Sequence, residues 1–348
     1  MSKVAPEFVC VAPFAPLDVD HWMLHLWTLH LWTLHLWTLH DRTKGLLLLP
    51  MTDPAIECVV PSANVCGEGA VWHPQHNAVY WTDINRALLH RYCRASQSFD
   101  TWTFDQPVVA LALTSDPDRL LAVLGGMILL WSPASDKREN PLFRLQEWPK
   151  LRCNEARVDP AGVLWFGTME NNVTEEGTTR PVTEHVGAFF SLRADGILSK
   201  WHEGIGIPNT IAWSPSGNSM VTGDTLKNEL VHFQYALRTQ RISHRGIFNA
   251  GFERGLPDGS AMDAEGYLWN CRYGGSCIVR FDVEGEVDRV IETPVKNPTT
   301  CAFGDEDLRT LYFTSARDGA GSGPEDGGLF RMRTETPGLL CTPFYLKA

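Results

Sequence analysis

The stretch GAVWHPQHNAVYWTD (residues 69–83) reads as two short β-runs around a tight turn. An apolar run ends at Trp72, a polar segment carries Pro74 and Asn77, and a second run is rich in aromatic and β-branched residues. Five further stretches repeat the pattern: VALALTSDPDRLLAVL (109–124), EARVDPAGVLWFGTM (155–169), TIAWSPSGNSMVTGD (210–224), GSAMDAEGYLWNCRY (259–273) and TCAFGDEDLRTLYFT (300–314). The apolar residue before each polar segment marks the copies: Trp72, Leu113, Val158, Trp213, Met262 and Phe303, with gaps of 41, 45, 55, 49 and 41 residues. Between the markers lie more turn signals flanked by strand formers: Gly125-Gly126, Asp195-Gly196 and Glu284-Gly285. After residue 50 no segment keeps a long 3.6-residue period. Six units of about 46 residues, each with room for four strands, predict an all-β six-bladed β-propeller. A β-sandwich seldom repeats one motif six times, and the turn of a β-helix is usually shorter.

The repeat is also a ruler. Four residues before each marker stand Glu68, Val109, Asn154, Asn209, Asp258 and Thr299. Equivalent positions of a propeller converge on its central axis, so four oxygen-bearing side chains of carboxylate or carboxamide type are expected together. One Asn or Asp before an apolar strand is ordinary turn chemistry. Four at one phase, on different blades, predict a divalent-metal site in the central channel, with open positions for water and substrate. Arg152, two residues before Asn154, is expected beside this ring, where a fixed cation can hold a hydroxyl or a developing oxyanion. The competing reading of Arg152 is a surface ion pair with Glu155 or Glu147. His73 and His76 are expected in a solvated turn, and Trp72, Trp165 and Trp213 in the strand core.

Composition narrows the class. Apolar residues make up 44% and charged residues 20%, which suits a globular core. A net charge of −11 argues against a nucleic-acid partner, since that binding depends on Lys and Arg. The nine cysteines include no C-x-x-C pair, which speaks against a disulfide framework and a thiolate zinc site and fits a reducing, cytoplasmic setting. Residues 25–40, HLWTLHLWTLHLWTLH, repeat a five-residue unit. Five residues advance a helix to a new face and send strand side chains to alternate faces, so neither element gathers the histidines. His and Thr also make the tract too polar for a membrane span. Residues 1–50 are expected to be a low-complexity leader outside the fold, with the propeller domain at 51–348; an interfacial helix or a metal-capturing tract are the alternatives. No membrane association is expected, and no pattern speaks to oligomeric state.

From about residue 56 to about 335 the chain resembles the regucalcin/gluconolactonase family of six-bladed propellers. The resemblance is carried by CGEGAVWHPQHNAVYWTDI, RCNEARVDPAGVLWFGTM, IPNTIAWSPSGN, LPDGSAMDAEGYLWNCRYGG and TLYFTSARDG. It implies a metal-dependent lactonase acting on a small sugar lactone. It places metal ligands at Glu68, Asn209 and Asp258, and substrate contacts at Arg152 and Asn154. Two departures stand out. The family often has Asn-Asp-Gly where this chain has Asn154-Glu155-Ala156, and some members bind sugar through a glutamate at the position of Asn172. The polar segment from Glu170 to His185 is expected to loop over the channel mouth, where selectivity resides.

The expected chemistry is opening of an aldonolactone to the aldonic acid. One divalent cation would polarise the carbonyl and lower the pKa of a bound water. Calcium is the first choice, and zinc, manganese, magnesium or iron are admitted by open oxygen coordination. Asp258 is the candidate general base and Glu68 the other choice. No G-x-S-x-G elbow is present, so a covalent acyl-enzyme is not expected. Two rival functions use the same ring: a metal-dependent phosphotriesterase or arylesterase, and a non-catalytic calcium-binding propeller.

Overall fold

The computed structural model describes residues 54–317, 319 and 322–347. The HLWTL leader and the expected boundary at residue 51 lie outside them. The described strands form six antiparallel sheets. Their first strands are Gly67–His73, Val108–Leu113, Leu151–Val158, Pro208–Trp213, Leu256–Met262 and Pro298–Gly304, which begin blades I to VI. Each first strand is the one that carries a repeat marker. First strands of neighbouring blades touch all the way round, so they line a central channel. Residues Thr225–Lys227 form a short 3-10 turn.

Within a blade, strands follow one another in simple order. Blade II departs from this, since Lys137–Arg138 and Phe143–Arg144 both pair with Met127–Ser132, and so does blade VI. Its strands Pro298–Gly304, Thr310–Ser315 and Leu329–Arg333 are completed by Glu57–Val60, which pairs antiparallel with Leu329–Arg333. The ring is therefore closed by pairing the first described strand with the last. The polar segment of the repeat also has a local cause. Asp159 and Asp263 each cap their hairpin turn through one carboxylate oxygen and accept the indole N–H of the following Trp165 or Trp269 through the other, at 2.8 and 2.9 Å.

One hydrophobic cluster fills each of the six blade interfaces. The cluster between blades VI and I includes Val60 from the closing strand beside Trp72, Trp81 and Tyr312. Each large apolar side chain buried this way contributes roughly 1.5–3 kcal/mol. Trp72, Trp165 and Trp213 are buried strand residues. His73 departs from the expected solvated turn. It is only 2% exposed, it stacks on His76 at 3.7 Å, and its Nε2 lies 3.1 Å from the Pro117 carbonyl of blade II. A neighbouring hairpin covers it, and burial lowers its pKa to about 4.

After blade VI the chain crosses the marker end of the first strands. Leu339 N–H donates to Met262 O, Phe344 N–H to Leu113 O and Tyr345 N–H to Gly162 O. Phe344 is fully buried in the cluster between blades II and III. The tail thus ties blades V, II and III together.

Candidate active site

The other end of the channel opens into a cavity of about 1070 Å³. Glu68, Arg152, Asn154, Asn172, Asn209 and Asp258 all line it. They come from blades I, III, IV and V. A shared local device brings them there. Every first strand carries a register shift at the same phase: Glu68/Val71, Val108/Ala110, Cys153/Ala156, Asn209/Ile211, Pro257/Ser260 and Pro298/Cys301. A β-bulge bends the strand and re-aims side chains, at the cost of unpaired backbone groups.

Polar side chains of neighbouring blades satisfy carbonyls along the first strands, each of which is the open edge of its sheet. Asn154 donates to Pro208 O, Thr210 to Asp258 O, Thr225 to Pro257 O and Thr299 to Gly67 O. Thr299, at the ring phase but without a carboxylate or carboxamide, therefore seals blade VI to blade I. Two glycines are required by the same geometry. Gly69 adopts φ 62° in its bulge, and a Cβ at Gly259 would meet Thr300 Oγ1 at 2.1 Å.

A directed chain of hydrogen bonds runs through the site. Arg152 Nη1 donates to Asn154 Oδ1 at 2.5 Å, and Asn154 Nδ2 donates to Asn209 Oδ1 at 2.8 Å. Asn209 Nδ2 donates to Thr225 Oγ1 at 2.9 Å, and Thr225 donates to Pro257 O at 2.7 Å. A guanidinium can only donate and a carbonyl can only accept, so both amides are held in one orientation. Neither partner first considered for Arg152 is used. Arg152 is 4% exposed and forms no ion pair with Glu155 or Glu147. In a strand, residues two apart share a face, so Arg152 lies with Asn154, while Glu155 pairs with Arg157 at 2.8 Å. Arg152 also donates through Nε and Nη2 to Asn172 Oδ1, at 3.0 and 2.8 Å.

Opposite this chain stand two acids. The carboxyl groups of Glu68 and Asp258 lie within hydrogen-bonding reach of each other. Burial first, then the Glu155 carboxylate, lifts the Glu68 carboxyl to about 7, against a pull downward from the Gly69 N–H. Burial and the adjacent Glu68 hold Asp258 well above the usual carboxylate range. Two enclosed carboxyls this close disfavour double ionisation, and among the described residues neither forms an ion pair with a cation. Among the described residues no group of three or more His, Cys, Asp or Glu is arranged to hold a metal. The set here has two carboxyls and reaches three donors only with Asn209, whose Oδ1 keeps a lone pair beyond its bond from Asn154. These hard oxygens suit a divalent cation on charge and donor type.

Three contributors had no signal in the repeat. Thr225 ends the hydrogen-bond chain. Asn85 donates to Gly177 O at 2.8 Å and to Thr179 Oγ1 at 2.9 Å, clasping the mouth segment in which Val173 bridges Thr179. Glu155 acts on Glu68 through charge alone. A following turn residue at Asn85 and an i, i+2 pair at Glu155 and Arg157 were the available hints. The expected loop at 170–185 does line the cavity, through residues such as Glu175 and Arg180. Among the described residues no helix is long and apolar enough to cross a membrane.

Residues 66–317 match the family model described as SMP-30/Gluconolactonase/LRE-like region. The chain is 31% identical over 300 residues to regucalcin of Homo sapiens, covering 81% of this chain and 95% of that protein. It is 30% identical over 290 residues to pentonolactonase XacC of Haloferax volcanii, covering 80% and 94%. The structure of a calcium-binding protein, regucalcin, from Agrobacterium tumefaciens superposes with a TM-score of 0.76 at 28% identity, over 84% of this chain and 97% of that one. A six-bladed propeller closed by its first and last described strands, with this polar ring at one channel mouth, belongs to the SMP-30/gluconolactonase family.

Proposed function

We propose that this protein is a metal-assisted lactonase that opens a small sugar lactone to its hydroxy acid. The observation that carries the reading is the Glu68–Asp258 pair, enclosed in the same cavity as Arg152, Asn154 and Asn209. Membership of a family whose relatives include a pentonolactonase and a sugar lactone lactonase supports the substrate class. Glu68, Asp258 and the Asn209 carboxamide would hold the cation. When bound, it supplies a Lewis acid for an ester carbonyl. Asp258 takes the proton of the attacking water as general base, and Glu68 is the second candidate for that step. Arg152 and Asn154 orient the bound lactone, Arg152 through its remaining N–H. The orientation is rigid because Asn154 is held at both ends of its amide.

Acid release from a panel of sugar lactones, with chelator-stripped protein and after resupply of calcium, zinc, manganese, magnesium or iron(II), tests this. Hydrolysis that tracks cation occupancy is expected. Folded protein that binds cation and opens no lactone would overturn the reading, and an ester and phosphotriester panel would then separate an esterase from a calcium-binding scaffold.

A further inference from the structure

We propose that the site selects lactones bearing an anionic substituent, a carboxylate in the first instance, with Arg152 as its counter-ion. This rests on the lactonase reading above and narrows its substrate. Arg152 is 4% exposed, yet every acceptor it uses is neutral: Asn172 Oδ1 twice, Asn154 Oδ1 and Cys153 O. Among the described residues no carboxylate lies within ion-pair distance of it. A buried cation without an anion is costly and is seldom left so. Four of its five N–H groups are engaged, which leaves one Nη2 N–H for a ligand.

The other charges at the cavity do not cancel this one. Glu68 acts on Arg152 by charge across the cavity but forms no ion pair with it, and together with Asp258 it would hold the cation. Glu175 and Glu176 are exposed on the mouth segment, where water and salt screen them. Arg86 is held by Asp83. Arg180 donates to the Asn171 carbonyl and pairs with no carboxylate among the described residues, so it adds positive charge at the mouth. The decisive position is Asn172. Its amide oxygen takes two Arg152 donors without neutralising them, where a carboxylate would do both. One monovalent charge matches a carboxylate better than a phosphate dianion.

The test compares kcat/KM for a neutral aldonolactone, an aldaric monolactone carrying a carboxylate, and a phosphorylated aldonolactone, with the activating cation present. Calorimetry then compares binding of the ring-opened dicarboxylate and the monocarboxylate to wild type and Asn172→Glu. The carboxylated lactone should be preferred at least tenfold, and the dicarboxylate should bind at least tenfold tighter. Asn172→Glu, which supplies Arg152 with an internal anion, should reduce both ratios about tenfold. Equal or better use of the neutral lactone with equal binding overturns the proposal. Preference for the phosphorylated lactone overturns the carboxylate assignment. If no lactone is opened, the lactonase reading fails by itself and the calorimetric ratio alone decides: a dicarboxylate preference erased by Asn172→Glu upholds anion recognition, and its absence ends it.

Discussion

Stripping the cation should make this protein lose stability as the pH rises, the reverse of ordinary carboxylate behaviour. A carboxyl whose folded pKa is raised binds its proton more tightly in the native chain than in the unfolded one. Native stability therefore falls as pH climbs from the Glu68 reference of 4.5 to about 7, and the loss is complete above that value. Asp258, also raised, adds to the loss in the same direction. The Glu68 shift alone corresponds to roughly 3 kcal/mol at about 1.4 kcal/mol per pH unit. Glu68 keeps some exposure into the channel, and screening there reduces the figure to about 2 kcal/mol. Urea unfolding in chelator at about pH 5 and about pH 8 measures the effect, with the double variant Glu68→Gln/Asp258→Asn as reference. The wild type should lose about 2 kcal/mol more than the double variant between the two pH values, and calcium should restore the difference. Identical pH slopes in the two proteins would refute the argument that these acids lack a counter-ion.

Three further outcomes follow from the same contacts. Asp258→Ala should lower kcat at least ~10³-fold while thermal unfolding stays cooperative; retained turnover would exclude Asp258 as the base. Thr225→Val leaves Asn209 Nδ2 and Pro257 O unpaired, so it should cost about 1–3 kcal/mol and weaken cation binding in calorimetry. Unchanged affinity would mean that the hydrogen-bond chain does not hold Asn209 in place. Phe344→Ala removes a fully buried ring from the tail and should cost about 3–5 kcal/mol in urea unfolding without altering KM. A loss under 1 kcal/mol would show that the tail does not brace blades II and III.

The propeller was legible because each blade repeats the same local problem: an apolar strand, an Asp- or Pro-marked turn and a second strand. Asp159 with Trp165 and Asp263 with Trp269 show why that pattern recurs, since one carboxylate serves both turn and indole. The ring phase was legible for the same reason, because a fixed offset from the marker is a fixed height in the channel. The bulges were not, since they add a residue without changing composition. Unpaired carbonyls on the inner strand edges explain Thr299, Thr210 and Thr225, which sequence alone cannot tell from ordinary strand threonines. The burial of His73 is not legible from its own blade, because its cover comes from Pro117 on the next one.

Charge pairing is the part of the site that spacing conceals. Arg152 has Glu155 three residues away and Glu147 five away, and a sequence reading naturally offers them as partners. The pleat denies Glu155, and Arg157 claims it. Arg152 is instead surrounded by Cys153 O, Asn154 and Asn172, twenty residues on and one strand over. The positive charge therefore survives in the folded protein only because three neutral acceptors took the places that a carboxylate could have filled. Fold and ring follow from repeated patterns, whereas the proposed selectivity turns on one unrepeated amide. The amide at position 172 is accordingly where a single substitution should change what the cavity accepts without changing how the cavity is built.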